Sequence, residues 1–442
     1  AVLRRGTTAV LRRHAVADEG AVDYRLASVG TKLAVRTNEL RLRAAVMERT
    51  QQISLCSLDL FTDHGLGRFA ATAVFDPETW RGDYEKWRLA QVVGDLGVMD
   101  PRRRARAFAT MTVSEMADLV LSYPEEIGAM DGAPAALRYT ANWRLIRNEI
   151  EQLEVLESEL ASNRSPIRDM MLDLVEQRRS EYRRWLVENR QILLFDPSGD
   201  GRVVEVFGDL ADATRVAVVV PGMANSIDNF SDGDGGFRHN AADLYAATEN
   251  PEIATIAWLG YDSPDNVGAM SRSAADQGAP ALQSFLQGID PGDDRAITVI
   301  AHSYGSVLAG TAARTGLEAN DLVFVGSPGT TLDTAGDAVL RSDGRVWVGL
   351  ADGDPITLGI NPRELPPWWL PPPLWTTWMA FDMWHGGPEE LWYGTNPASD
   401  EFGAVRFATD GSNGHSEYFR AEALDNLAMI VEGRYGDVEL GG

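Results

Sequence analysis

The stretch AITVIAHSYGSVLAG, residues 296–310, decides the fold. Its opening run, residues 296–300, is uninterrupted and apolar, which predicts a buried strand. Its closing part is rich in Ala and Gly, which predicts a helix packed close to a sheet. Ser303 stands at the turn between them, with small residues two positions before and two positions after it. This spacing predicts a sharp strand-to-helix turn that leaves the Ser303 hydroxyl exposed above the strand.

The residues around Ser303 follow the pattern small-x-Ser-x-small, known as a nucleophile elbow. Ala301 and Gly305 occupy the small positions, because larger side chains would collide with the backbone of so tight a turn. The N–H of Tyr304 then lies at a helix N-terminus, where negative charge is stabilised. The same pentapeptide is also compatible with a tight turn around a solvated Ser. A catalytic interpretation therefore requires a base and an acid later in the chain.

The periodicity of the chain changes near residue 190. Residues 1–190 predict helices, among them two long amphipathic segments at 140–162 and 165–189 whose short joint folds them back antiparallel. Beyond residue 190, strands alternate with helices, and the all-apolar run at 215–220 is typical of a buried parallel strand. We therefore expect an α-helical domain at 1–190. It precedes a doubly wound, mostly parallel α/β catalytic domain at 191–442, with its site at the carboxyl ends of the strands.

The charge distribution changes at the same place. Residues 1–190 carry 28 basic and 28 acidic side chains, so the whole net charge of −25 falls on residues 191–442. Such an acidic surface argues against nucleic acid and anionic membranes as partners. The sequence has no apolar stretch long enough for a transmembrane segment and no recognisable signal peptide. This pattern favours a cytoplasmic protein or one exported by a non-classical route.

Two carboxylates compete for the role of the acid. A predicted strand at 345–350 runs into Asp352 and Asp354. The step from Asp354 to Pro355 imposes an extended turn that can aim the carboxylate across the strand ends, which favours Asp354. Asp352 lies closer to the strand, where it could equally cap a turn.

Two of the six histidines follow that acid in the chain. His415 comes after the apolar run 404–408, and we expect it at the head of the final helix. His385 lies in an irregular aromatic segment and is interpreted as a surface or pocket-wall residue. His415 is therefore the predicted base.

These residues predict nucleophilic catalysis by a Ser–Asp–His triad. His415 would take the proton of Ser303 while Asp354 fixes its tautomer. The negative oxygen that forms needs two N–H donors. We assign them to Tyr304 and to Met223, which follows the 215–220 strand, although the Met223 loop could also be a simple glycine turn.

Six stretches of the chain match one known family. They are PEEIGAMDGAP at 124–134, VPGM at 220–223, DGG at 234–236, IAHSYGS at 300–306, DGDPI at 352–356 and GHSEYF at 414–419. Through them the chain resembles an α/β-hydrolase family of actinobacteria catalogued as a domain of unknown function. The resemblance covers roughly residues 124–425. It implies an α/β-hydrolase fold and a serine hydrolase acting through Ser303, Asp354 and His415. Ala301 departs from the family, which usually has Gly there, but it still meets the steric need.

A Trp- and Pro-rich insertion at 361–393 separates the predicted acid from the predicted base and holds six of the 12 Trp residues. Its position predicts a lid or pocket wall over Ser303, with Trp375, Trp378 and Trp384 as substrate-binding candidates. The alternative is that these Trp side chains pack the helical domain onto the catalytic core.

The sequence as a whole predicts a serine esterase or lipase-like hydrolase that cleaves a small-molecule or lipid-like ester through an acyl-enzyme. We expect no cofactor and no metal, and the single cysteine, Cys56, excludes a disulfide within the chain and a site built from several cysteines. An amidase or peptidase would use the same triad. A helical partner-binding or secreted protein with a vestigial hydrolase domain is the alternative from another class.

Overall fold

The apolar runs after residue 190 form one eight-stranded sheet in the computed structural model. The structure describes residues 77–162, 167–231, 236–265, 271–351, 353–354, 390–391 and 393–441. The strands of this sheet are β1 (Gln191–Asp196), β2 (Arg202–Phe207), β3 (Arg215–Val220), β4 (Ile253–Leu259), β5 (Ala296–His302), β6 (Asp321–Val325), β7 (Arg345–Gly349) and β10 (Val405–Phe407). Two short strands, β8 (Glu390–Leu391) and β9 (Gly394–Thr395), pair with each other.

The strand order, β1-β2-β4-β3-β5-β6-β7-β10, positions the site. β1 and β2 pair antiparallel, as do β2 and β4, whereas the other neighbours pair in parallel. The chain leaves β3 toward one edge of the sheet and leaves β5 toward the other. Such a reversal opens a crevice at the carboxyl ends of the two strands. Val220 pairs with Ala301, so the loops after β3 and β5 emerge side by side.

Helices cover both faces of the sheet. Ten α-helices occur in the described part of the chain. They are α1 (Pro77–Gly97), α2 (Pro101–Ala109), α3 (Val113–Ser122), α4 (Pro124–Gly128), α5 (Ala135–Ser162), α6 (Arg168–Val187), α7 (Phe237–Ala247), α8 (Ser273–Ile289), α9 (Tyr304–Thr315) and α10 (Ala421–Glu432). Of these, α8 and α9 share a buried cluster with one face of the sheet, and α7 and α10 pack with α6 in a cluster on the other.

Helix α5 covers the outer edge of the sheet at β1. A bare edge strand exposes unpaired backbone groups, so proteins usually cover it. Here three buried side chains of α5 donate hydrogen bonds to backbone carbonyls at the edge. The pairs are Arg138 with Leu193 at 3.0 Å, Asn142 with Ile192 at 3.0 Å and Trp143 with Arg190 at 2.8 Å. The helical segment and the sheet are thus joined by specific polar contacts as well as by apolar packing.

The predicted fold class is confirmed. The predicted helix pair is present as α5 and α6, and the predicted strand 215–220 is β3. One prediction is wrong: the final helix begins at Ala421, so His415 lies in a turn before that helix and not at its head. Residues 1–76 and most of the 361–393 insertion lie outside the described residues, and the division into two domains stays a prediction. No described helix is long and apolar enough to cross a membrane.

Arg138 provides a test of the contact between α5 and the sheet. Its guanidinium is buried and also pairs with Asp131, at 3.1 Å. We expect Arg138→Leu to lower the free energy of unfolding by about 3 kcal/mol, because it removes the cation beside the Asp131 carboxylate and one donor to each of the Gly128 and Leu193 carbonyls. Urea unfolding followed by Trp fluorescence measures the change. Arg103→Leu, which removes an exposed ion pair with Asp100, is the control and should change stability by less than about 0.5 kcal/mol. Equal effects of the two changes would contradict this account of the edge.

Candidate active site

The turn between β5 and α9 holds Ser303 in a rare backbone conformation. Ser303 has φ 54° and ψ −128°, a region that costs L-residues about 1–3 kcal/mol. Its N–H donates to the Val325 carbonyl at 3.0 Å, which ties the turn to β6. A Cβ added at Gly305 would lie 2.7 Å from the Pro221 oxygen and 2.8 Å from the Val220 oxygen. The backbone at the end of β3 therefore requires a small residue two positions after Ser303.

Three predicted residues meet at this turn. The Oγ atom of Ser303 lies 2.8 Å from Nε2 of His415, and Nδ1 of His415 lies 3.0 Å from each oxygen of Asp354. A carboxylate only accepts, so Nδ1 carries the proton and Nε2 accepts from the Ser303 hydroxyl. Ser303 is 4% exposed, Asp354 is fully buried and the His415 side chain is 27% exposed. His415 therefore lies between the buried Asp354 and the cleft.

Tyr418 supports Asp354, a contact that is not predicted from the sequence. Its hydroxyl donates to Oδ2 of Asp354 at 2.6 Å and accepts the N–H of Ala351 at 3.2 Å. Burial, with the nearby Asp354 charge, raises the pKa of the Tyr418 hydroxyl, which therefore stays a donor. Tyr418 lies only three residues after His415, but nothing in the sequence separates this aromatic residue from one that simply packs.

His302 supports the base. Its Nε2 lies 2.7 Å from the carbonyl oxygen of His415, and the two rings are 4.8 Å apart. Because a carbonyl only accepts, this nitrogen carries the proton and donates it. Burial, together with the neighbouring His415, lowers the pKa of His302 to about 4. No role for His302 is predicted from the sequence, and in the structure it holds the His415 backbone.

The two predicted oxyanion donors flank Ser303. Tyr304 is the first residue of α9, and Met223 lies in the loop after β3. The preceding Gly222 allows that loop to approach, because a Cβ there would be 2.6 Å from Cβ of Ser303. The structure thus places both residues beside the nucleophile. Their role in binding an oxyanion stays a prediction.

A cleft of about 250 Å³ opens above Ser303 and His415. Its walls mix apolar and polar side chains. Besides Ser303 and His415, they are Pro221, Gly222, Met223, Asn225, Phe237, Asn240, His302, Ser416, Tyr418 and Phe419. Within the described ranges, no group of three or more His, Cys, Asp or Glu side chains is placed to hold a metal ion. This arrangement can activate a hydroxyl toward a carbonyl carbon bound in the cleft.

Several predicted residues cannot be placed. The competing acid Asp352, the alternative histidine His385 and the three substrate-binding candidates Trp375, Trp378 and Trp384 all lie outside the described residues. Their assignments stay predictions.

Comparison with known proteins bears on the fold. Residues 196–362 match the sequence model of an alpha/beta hydrolase family. The fold is that of an alpha/beta hydrolase. The resemblance noted from the sequence is confirmed at this level, and the matched segment of the alpha/beta hydrolase fold includes both Ser303 and Asp354.

Two mycobacterial proteins are similar to parts of the chain. The uncharacterized protein Rv2079 of Mycobacterium tuberculosis is 28% identical over 382 residues, which cover 75% of this chain and 55% of that protein. A second uncharacterized protein, Rv0963c, is 35% identical over 159 residues, or 33% of this chain and 59% of that one. The chain therefore spans little more than half the length of these curated relatives.

A solved structure, carboxyl esterase 2 from the fungus Tuber melanosporum, is also similar. It has 11% sequence identity and a TM-score of 0.27, over 54% of this chain and 80% of that one. This likeness is too slight to bear on the function of the chain.

The burial of His302 predicts a pH dependence of stability. The pKa of His302 is about 4, against an ordinary value of 6.5, so the unfolded chain binds the proton more readily between these values. The stability that neutral His302 contributes is therefore present above pH 6.5 and is lost as the pH falls toward 4. We expect His302→Gln to flatten this fall in the free energy of unfolding, measured by urea titrations at several pH values.

His239→Gln is the matched control, since it removes a histidine of α7 and leaves the contact between His302 and the His415 carbonyl in place. It should leave the fall between pH 6.5 and 4 in place. If His302→Gln kept the wild-type slope, the buried neutral state of His302 would be disproved.

Proposed function

We propose that this protein is a serine hydrolase that cleaves carboxylic esters through an acyl-enzyme on Ser303. The observation that carries the proposal is the 2.8 Å contact between the Ser303 hydroxyl and Nε2 of His415, with Asp354 bonded to the other ring nitrogen. A nucleophile, a base and an orienting acid in this relation form the minimal apparatus for acyl transfer. The alpha/beta hydrolase match over residues 196–362 supports the same reaction class.

The first half of the reaction forms the acyl-enzyme. The Ser303 oxygen attacks the ester carbonyl carbon as its proton passes to Nε2 of His415. The carbonyl oxygen becomes an oxyanion, which the N–H groups of Met223 and Tyr304 would receive. Collapse of this intermediate breaks the bond to the alcohol oxygen, and the imidazolium returns the proton to that oxygen. The negative charge of Asp354 stabilises the imidazolium while it exists.

The second half releases the acid. A water molecule takes the place of the departed alcohol and gives a proton to His415 as its oxygen attacks the acyl carbon. The second tetrahedral intermediate expels the Ser303 oxygen, which regains a proton from His415. The products are a carboxylic acid, an alcohol and the free enzyme, so no co-reactant besides water is consumed.

The cleft limits the substrate class. At about 250 Å³ it is below the range of about 300–1,000 Å³ that is usual for drug-sized ligands. Met223, Phe237 and Phe419 give it apolar walls, while Asn225 and Asn240 add polar groups. We therefore propose a small-molecule or lipid-like ester whose acyl group is short enough to enter beside Ser303.

Active-site labelling tests the nucleophile. We expect a fluorophosphonate probe to modify one serine stoichiometrically at neutral pH, and we expect Ser303→Ala to abolish labelling and to lower kcat for p-nitrophenyl butyrate by at least about 10³-fold. Intact-mass spectrometry and initial rates give the two readouts. Ser284→Ala removes a hydroxyl that donates to Asp131, outside the cleft, and should behave as wild type.

Two outcomes would change the proposal. A folded wild-type protein that neither reacts with the fluorophosphonate probe nor hydrolyses p-nitrophenyl butyrate would rule out the hydrolase. That result would favour a binding protein with a vestigial site. Faster cleavage of anilides than of esters with the same acyl group would keep the triad and replace the esterase by an amidase.

A further inference from the structure

In the loop after β3, side chains fix the backbone carbonyl groups by hydrogen bonds. Every backbone oxygen from residue 221 to residue 224 accepts at least one hydrogen bond from a side chain. The single hydroxyl proton of Tyr261 is shared between the oxygens of Pro221 (2.9 Å) and Gly222 (3.1 Å). Ser263 donates to Gly222 (2.8 Å), Asn225 to Gly222 (3.2 Å) and Met223 (3.0 Å), and Asn229 to Ala224 (2.8 Å). The Gly222 oxygen, with three donors around it, is the most heavily held.

The N–H groups of the same loop divide into two sets. Ala224 donates to the Pro264 oxygen at 3.0 Å, and Asn225 donates to the Ser263 hydroxyl at 3.3 Å. Among the residues the structure describes, Gly222 and Met223 have no acceptor for their N–H groups. Hydrogen bonds therefore connect the loop to residues 261–264. The N–H groups of Gly222 and Met223 remain able to bind another acceptor.

The geometry of the peptide bond links the two observations. The Gly222 carbonyl and the Met223 N–H belong to one planar trans peptide, so they point in opposite directions. Holding the carbonyl toward Ser263 therefore fixes the direction of the N–H. Met223 lines the cleft beside Ser303, whereas neither Tyr261 nor Ser263 is among the residues that line it. Both are buried, at 3% and 4% exposure.

We propose that Ser263 and Tyr261 are positioning residues that aim the Met223 N–H at the developing oxyanion. This inference rests on the proposed acyl-transfer function. Neither residue touches the substrate, and both act through the Gly222–Met223 peptide. Burial raises the pKa of the Tyr261 hydroxyl, so that it keeps its proton and remains a donor. Ser263 and Tyr261 lie in the loop after β4, the neighbour of β3, so two adjacent loops cooperate at the site.

The expected kinetic effect is specific. An N–H that is already aimed stabilises charge that appears only in the transition state, so losing its alignment lowers kcat more than it raises KM. Complete loss of one oxyanion donor costs about 10²–10³-fold in kcat. If the Gly222–Met223 peptide is less tightly held but its N–H remains, the loss of kcat should be smaller. We expect kcat to fall about tenfold in Ser263→Ala and by a similar factor in Tyr261→Phe.

The experiment compares these variants with matched controls. The probes are p-nitrophenyl acetate as substrate and a phenyl trifluoromethyl ketone, whose hemiketal on Ser303 places an oxyanion in the same position. For Ser263→Ala we expect kcat to fall about tenfold with KM within about twofold. The inhibition constant of the ketone should rise by the factor by which kcat/KM falls.

Two control variants remove hydroxyl groups elsewhere. Ser399→Ala removes a hydroxyl that donates to the Asn396 carbonyl, and Tyr435→Phe removes one that donates to Asp321. Both controls should keep the wild-type constants.

Ser263→Thr separates positioning from general instability, because it keeps a hydroxyl at the same place. Recovery of both kcat and ketone binding in this variant supports the assignment. An unchanged kcat in Ser263→Ala, or a loss confined to KM, overturns it. So does a Ser263→Thr protein whose melting temperature recovers while its kcat does not. Wild-type hydrolysis that persists in Ser303→Ala would overturn the proposed function and this inference together, whereas hydrolysis that requires Ser303 but not Ser263 would overturn the inference alone.

Discussion

The site depends on one strained residue held between three strands. Ser303 adopts a positive φ at the end of β5, and this conformation persists only because its surroundings determine it. Its N–H is bonded to Val325 of β6, and Gly305 lies directly under the carbonyls at the end of β3. The sheet order, with β3 and β6 on either side of β5, is what supplies both constraints. The strain is therefore supported by strands whose side chains are almost all buried.

Hydrogen bonds extend outward from that turn. Asp354 is fully buried and is held by Tyr418, while His302 binds the backbone of His415. Each of these contacts has one direction only, because carboxylates and carbonyls accept and do not donate. The proton positions follow: His415 carries its proton on Nδ1, and the free lone pair of Nε2 faces Ser303. The geometry thus fixes the tautomer that a general base requires before any substrate arrives.

Much of this arrangement was predictable from local sequence, and some of it was not. The strands, the turn at Ser303 and the choice of His415 follow from apolar runs, small residues and chain order, which are local signals. Tyr418 and His302 could not be assigned roles, because their partners lie 64 and 113 residues away in the chain. The same holds for Ser263, which acts on Gly222 across two neighbouring loops. The misplaced start of the last helix has a related cause: the turn before Ala421 is shaped by tertiary contacts of His415 and Tyr418, which helix-start signals do not report.

The most direct test of the account is to trap the covalent intermediate. Wild-type protein turning over p-nitrophenyl acetate would be quenched in acid, digested and analysed by peptide mass spectrometry. We expect a single acetyl group on the peptide that carries Ser303. The corresponding peptide of the Ser303→Ala protein should carry no acetyl group. Hydrolysis with no acetylated peptide, or with the acetyl group on another residue, would contradict it.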